Sequence, residues 1–272
     1  MKEINYLISL SVITIILALS SFYIFTSTTS FLAYAQNIKN STETSILFKT
    51  ADTLFNQKKY DEAIPYYDKI LTRNASEIDA LNHKGISLWA LHKYKEALPY
   101  FDQILSINST NVKALNNKGL ALLGLQKNDE AIEYFDRLLD INPSDVYALI
   151  NKGGALLALE KNEEAIQYFD RVLSRNASDV YAINNKAEAL TEMGKNEEAL
   201  SVIKKAAIDN PKDETLQSTM AFILANMGKD DEARQYYEKA LKINPNLTEI
   251  LYEDELDEFN RIMDNKPTLQ RQ

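Results

Sequence analysis

The chain matches itself at a spacing of 34 residues, and no other feature restricts its fold as much. Asn117-Lys118-Gly119 falls on Asn151-Lys152-Gly153 after one shift and on Asn185-Lys186-Ala187 after a second. In the other direction it meets His83-Lys84-Gly85. A period of this length marks one small supersecondary unit stacked on copies of itself, each copy burying its apolar face against the next. Six units fit, at 44–77, 78–111, 112–145, 146–179, 180–213 and 214–247, and we number positions within each from its first residue.

Each unit divides into two amphipathic stretches long enough for helices of about 12 to 14 residues. Position 11 is Leu in all six units: Leu54, Leu88, Leu122, Leu156, Leu190 and Leu224. Three residues earlier stands a small residue: Ala51, Gly85, Gly119, Gly153, Ala187 or Ala221. Position 20 is Ala throughout, and four residues later a large side chain follows, Tyr67, Phe101, Phe135, Phe169, Ile203 or Tyr237. Small and large positions at helical spacing predict a close helix pair in which the large side chain fills the space left by the small one. Only 7 Gly and 6 Pro in 272 residues agree with an all-helical chain.

The helix ends carry signals too. Asn128, Asn162 and Asn196 precede acidic residues and are expected to cap the second helix, as Ser76, Ser144 and Ser178 are expected to cap the next first helix. Pro143, Pro211 and Pro245 stop the second helix, whereas Pro65 and Pro99 lie inside it and are expected to bend it slightly.

This pattern closely resembles the tetratricopeptide repeat (TPR) family, with Leu near position 4, Gly or Ala at 8, Ala at 20, an aromatic at 24 and Pro at 32. The resemblance covers 44–247. It implies an α-solenoid of six helix-turn-helix repeats, a C-terminal capping helix and a function in protein binding. Several residues depart from it: Lys84, Lys118, Lys152 and Lys186 at position 7; Ala75, Ser109 and Ala177 at 32; and Gln217 at 4. The lysine stems are expected to lie on apolar surface with the ammonium in water.

In the family, the first helix lines a concave groove. Carried across, the groove residues are Asn82, Asn116 and Asn184 at position 5, and His83, Asn117, Asn151 and Asn185 at position 6. Trp89, Leu120, Leu123, Tyr147, Ile150, Leu157 and Tyr181 supply apolar surface. Carboxamides both donate and accept, so a row of them suits the backbone of an extended peptide, with aromatics as anchors. Asparagine at position 6 is also common in such repeats without a ligand. The clamp that grips acidic chaperone tails is not matched. Lys113 stands at position 2, but no lysine stands at position 5 and no arginine at position 6.

Residues 6–25 carry no charge, and 15 of these 20 are apolar, enough for a membrane-crossing helix. Ala33-Tyr34-Ala35 followed by Gln36 resembles a signal-peptidase site. Residues 1–35 are thus a cleaved signal peptide or a membrane anchor, and either places the repeats outside the cytoplasm. Residues 36–43 read as a polar linker, 248–264 as an amphipathic capping helix and 265–272 as a frayed tail. Five N-x-S/T sequons, at Asn40, Asn74, Asn108, Asn176 and Asn246, are candidate glycosylation sites.

Composition excludes much else. With no cysteine, disulfides and thiolate chemistry are absent, and two histidines leave little room for imidazole chemistry. A net charge of −9 argues against nucleic acid. No phosphate loop, zinc-protease motif or nucleophile elbow occurs, and Glu163-Glu164 and Glu197-Glu198 recur with the period as helix-start features. The reading is a non-enzymatic scaffold without cofactor or metal that binds a protein or peptide at the cell envelope. Two alternatives stand beside it: self-assembly into homo-oligomers, end to end or through Tyr252 and Phe259, and service as an accessory subunit of an envelope enzyme.

Overall fold

The computed structural model describes residues 30–34, 36–249, 251 and 253–264. The apolar run 6–25, Ala35, Tyr252 and the tail 265–272 lie outside the described residues. No helix among the described residues is long and apolar enough to cross a membrane.

The described residues are helical and show no strand. They fall into two compact units that divide between Leu91 and His92. The first holds α1 (36–56), α2 (Tyr60–Arg73) and α3 (Ile78–Ala90). The second holds α4 (Tyr94–Ile107), α5 (Val112–Gly124), α6 (Asn128–Ile141), α7 (Val146–Leu157) and α8 (Asn162–Leu173). It continues through α9 (Val180–Glu192), α10 (Asn196–Asp209), α11 (Glu214–Asn226) and α12 (Asp230–Ile243) to α13 (Glu253–Asp264).

In the first unit α2 packs on α3, and Ala51, Ala63, Tyr67, Ile70 and Ala80 form the core. Residues 36–43 are helical and run into α1 without a break, where a linker was expected. The segment contains no Gly or Pro to stop a helix, and the Thr42 and Thr44 hydroxyls bond back to Ile38 O and Asn40 O. Arg73 ties the segment down through Glu43 at 2.8 Å.

In the second unit each helix packs on its successor from α4 to α12, and the first helices of successive repeats also touch, α5 on α7, α7 on α9 and α9 on α11. The small-to-large pairing is visible in the geometry. A Cβ on Gly119 would stand 2.5 Å from Cε1 of Phe135, and one on Gly153 would stand 2.4 Å from Cε1 of Phe169. Neither position has room for a side chain, so both rings are fully buried against bare backbone.

The turn between the two helices of a repeat is built the same way along the chain. Position 15 is left-handed in every repeat: Lys58, His92, Gln126 and Glu160 at φ 57–60°, Gly194 and Gly228 at about 70°. After Lys58, Gln126, Glu160, Gly194 and Gly228 the next residue's N–H bonds the carbonyl of Leu at position 11, as in Lys161 N to Leu156 O at 2.9 Å and Lys195 N to Leu190 O at 2.8 Å. This closure corrects the expected caps. Lys127, Lys161 and Lys195 hold the cap position, without a side-chain bond, and Asn128, Asn162 and Asn196 are already the first helical residues.

The first helices are capped one residue later than expected. Asn111, Asp145, Asp179 and Asp213 accept from the N–H three residues on, at 2.9–3.0 Å. Ser144 and Ser178 instead donate to Asn142 and Asn176 Oδ1, and Ser76 bonds Asn74 Oδ1 through its backbone N–H. A carboxylate is the stronger acceptor at a positive helix end, which leaves the serine to the Asx turn before it.

The position-7 lysines do not end in water. Lys84 pairs with Asp68 in the first unit, and Lys118, Lys152 and Lys186 pair with Asp102, Asp136 and Asp170 in the second. Each lysine reaches from one repeat to position 25 of the repeat before. Gln217, polar where the family has a large apolar residue, is 1% exposed and donates Nε2 to Ala207 O at 2.8 Å, closing the end of α10.

At the C-terminus a single helix over 248–264 was expected. The chain instead makes a 3₁₀ turn, Leu247–Glu249, before α13, which packs on both α11 and α12. Phe259 is buried and stands edge-on to Tyr237 with centroids 5.0 Å apart. It is covered within the chain and so offers no surface for self-assembly. Arg261 bonds Asp230, and Arg234 bonds the carbonyls of Met263 and Ile262, which pins the helix at both edges. The Arg261 guanidinium holds the Asp230 carboxyl below its ordinary range.

Candidate groove on the first helices

The row α5, α7, α9, α11 carries most of the candidate groove residues. Asn116 Nδ2 donates to Asn117 Oδ1 at 3.4 Å, and Asn151 Nδ2 donates across to Asn116 Oδ1 at 3.2 Å. Two repeats are thus joined by a carboxamide step on one face. The step does not run the length of the row, because position 5 of the next pair is Ile150, which has no acceptor. Asn185 is half-buried at the edge of a cavity, whereas Asn184 is 8% exposed and its Oδ1 has no hydrogen-bond partner among the described residues.

Of the apolar candidates, Tyr147 and Tyr181 are 77% and 73% exposed, one repeat apart at position 2. Leu123 and Ile150 are half-buried and pack on the core formed by Leu115, Leu122, Leu149 and Leu156. Leu120 is half-buried. Leu157 belongs to the same core and shows only an edge to the cavity, so it is mainly a packing residue.

Three candidates lie in the first unit. Asn82 is buried and Trp89 is partly exposed. His83 stacks on Phe55 at 4.9 Å and Tyr67 at 5.7 Å, with Nδ1 3.3 Å from Asp52 but not aligned for a hydrogen bond. The Tyr67 hydroxyl donates to Asp52 at 3.0 Å, and burial, with Asp52 adding to it, pushes this phenol above its ordinary range.

The sequons occupy exposed backbone. Asn74, Asn108 and Asn176 stand at position 31, in the turn after a second helix, where their Oδ1 atoms accept from the N–H two residues on. Position 31 is Asn in all six repeats, sequon or not, so the turn itself calls for this residue. Asn40 and Asn246 are exposed as well.

Unanticipated is a cavity of about 520 Å³ lined by α7, α9, α11 and α13, with Glu188, Glu192, Phe222 and Glu255 on its wall. A second, of about 370 Å³, adjoins it across Glu192 and Phe222 and adds Asp257 and Glu258. Position 9 runs Leu120, Gly154, Glu188, Phe222, and that break in the period was the one sign of it in the sequence. The share taken by α13 had none. Among the described residues no group of His, Cys, Asp and Glu is arranged to hold a metal.

Comparison with known proteins agrees with this geometry. Residues 82–146 and 116–181 match a family model described as tetratricopeptide repeat, and 46–76 match a second of the same description. Residues 155–254 match the model described as Psidin, N-terminal TPR repeats region. A search of proteins with curated function finds no match. Among solved structures, a tetratricopeptide repeat protein from Parabacteroides merdae is similar at 20% identity and TM-score 0.65, over 83% of this chain and 94% of that one. TTC0263, a thermophilic TPR protein of Thermus thermophilus, is similar at 23% identity and TM-score 0.55, over 69% and 97%. A structure of MamA from MSR-1 is similar at 22% identity and TM-score 0.52, over 60% and 94%. At such identities the likeness speaks for the fold alone. With its helix pairs, its period and these matches, the chain belongs to the tetratricopeptide repeat proteins.

Proposed function

We propose that the chain is a non-catalytic adaptor at the cell envelope that holds an extended segment of a partner protein along α5, α7, α9 and α11. The tetratricopeptide fold is a protein–protein interaction scaffold, and proteins built on it are generally non-catalytic adaptors. The observation that carries the finer reading is the Asn151–Asn116 step beside the exposed rings of Tyr147 and Tyr181. An extended segment laid there gains backbone hydrogen bonds from carboxamides and buries its side chains on two rigid aromatic anchors. Envelope placement rests on the uncharged run 6–25.

The test is capture of partners from envelope extract with the full chain and with the variant Tyr147→Ala/Asn151→Ala/Tyr181→Ala, followed by crosslink mapping. A partner held by the parent, crosslinked to α7 or α9 and lost by the variant at unchanged helical content supports the groove. Equal capture by both moves binding to another face.

A further inference from the structure

Helix α1 has two apolar faces, and the first unit covers one of them. Leu47, Phe48, Ala51, Leu54 and Phe55 turn into its core. Ile38 and Ile46 are 50% and 60% exposed, and at 3.6 residues per turn each stands about 140° round the helix from Ala51. Residues 30–34 are helical as well, with Phe31, Leu32 and Tyr34 exposed by 69%, 65% and 64%. Five of the thirteen large apolar side chains exposed among the described residues thus lie between 31 and 46. The uncharged run 6–25 ends six residues before Phe31. Six residues reach at most about 20 Å, and the headgroup layer on each side of a bilayer is about 5–8 Å deep. Charge agrees with a phosphate surface at this end. Residues 30–73 carry six basic and five acidic side chains, whereas the whole chain carries 30 and 39. Lys39 and Lys49 are exposed on the helix itself, and Lys69 lines a depression of about 510 Å³ beside Ile46.

We infer that the run 6–25 stays on the chain as its membrane anchor and that residues 30–46 lie on the bilayer surface beside it. Phe31, Tyr34, Ile38 and Ile46 then enter the headgroup layer, and the first unit is held against the membrane. This inference rests on the envelope placement proposed above and takes the anchor over the cleaved leader. Phe31 and Tyr34 stand nearest the run, where a membrane interface favours aromatic rings. Ile38 and Ile46 follow along the helix, and the boundary of headgroups and acyl chains takes them out of water without a protein partner. A bilayer suits the stripe better than a second copy of the chain does. The anchor already holds the helix at the lipid surface, whereas a second copy has to be met by diffusion. The acidic remainder of the chain is repelled by lipid phosphates, and this end is not.

The chain has no cysteine, so a single label can be placed on it without removing another residue. The full chain is purified from the membranes of expressing cells, and its N-terminus is read by mass spectrometry. It is then reconstituted in vesicles of phosphatidylcholine and phosphatidylglycerol. An environment-sensitive fluorophore is carried on Phe31→Cys, Ile38→Cys or Ile46→Cys, with Tyr181→Cys as the label in water, each at unchanged helical content. Expected are an intact N-terminus and blue-shifted emission at 31, 38 and 46. Brominated acyl chains should quench more than half of that emission and leave the label at 181 unchanged. An intact chain in the vesicles whose labels at 38 and 46 behave like the one at 181 overturns the inference and leaves the envelope placement standing. So does a chain that begins at Gln36, which is exported but not anchored. An intact chain that stays out of the vesicles overturns both. Blue shifts that need no lipid and grow with protein concentration give the stripe to a second copy and overturn the inference as well.

Discussion

Lys152 reaches back sixteen residues to pair with Asp136, and its ammonium lies 4.6 Å from the ring centroid of Tyr168 in its own repeat. One side chain thereby joins two repeats, with Lys152 12% and Asp136 46% exposed. Lys118 does the same between Asp102 and Tyr134, at 4.4 Å from the ring. Nearest-neighbour interfaces are where a repeat array gains its cooperativity, so these pairs bear on how the array unfolds.

Removing the carboxylate should therefore be worse than removing the ammonium. Asp136→Asn leaves the ammonium of a mostly covered side chain without its partner and should cost on the order of 1 kcal/mol. Lys152→Met should cost less, because the last repeat already carries Met220, 2% exposed, at the same position. Urea unfolding of the two variants and of the double variant orders them. An Asp136→Asn variant as stable as the parent would show the pair to be idle.

The same pairs make stability fall at high pH. Burial pulls the Lys118 and Lys152 ammonium groups down, but hydrogen bonds to Asp102 and Tyr134, and to Asp136 and Tyr168, more than offset it and leave both raised above the ordinary lysine value of 10.5. A group raised on folding contributes stability that is fully present below its unfolded value and is lost as pH rises through its folded value. Tyr67, also raised, acts with the same sign. Thermal midpoints should hold steady from neutral pH to about 10 and then drop. The drop should be shallower in Lys118→Met/Lys152→Met.

Position 15 offers stability that the chain does not use. Glu160 sits at φ 57° with a side chain that disfavours it, whereas Gly194 holds the same place at φ 71° without strain. Glu160→Gly should stabilise by about 0.5–1 kcal/mol, and Gly194→Ala should destabilise by a similar amount. Nothing lies within 4 Å of a Cβ on Gly194, so the second effect is one of backbone conformation alone. Opposite signs in denaturant midpoints are the expected result, and a stabilising Gly194→Ala would contradict it.

The cap is held by one ring. Phe259→Ala opens a cavity against Tyr237 and should cost about 3–5 kcal/mol where the last repeat docks. Hydrogen exchange should quicken through α11 and α12, the helices that α13 covers, and leave α5 and α6 near their original protection. Uniform quickening would mean that the second unit unfolds as one block.

The period, the helix pairs and the fit of Gly153 under Phe169 were legible in the chain, because each depends on residues that recur at a fixed short spacing and on local helical geometry. Breaks in the period pointed to particular places but not to their use. Lys152 at an aliphatic position and Gln217 at a large one acquire partners only when the neighbouring repeat arrives, sixteen and ten residues earlier in sequence. The second-helix caps were misplaced by a residue because the left-handed turn at position 15 sets the helix start, and the first-helix caps of the fourth and fifth repeats because an aspartate stands one residue after the serine. Alike in sequence, Asn116 is bonded to Asn151 while Asn184 Oδ1 is buried without a donor among the described residues, and the residue one repeat on is Thr219 in place of an asparagine. The sequence by itself determined which helices form and how each pair closes, since those choices rest on local propensity and period. Tertiary structure alone decided which polar groups are paired and how α13 completes an acidic cavity with α9 and α11, because those outcomes depend on distances between helices that no single repeat contains.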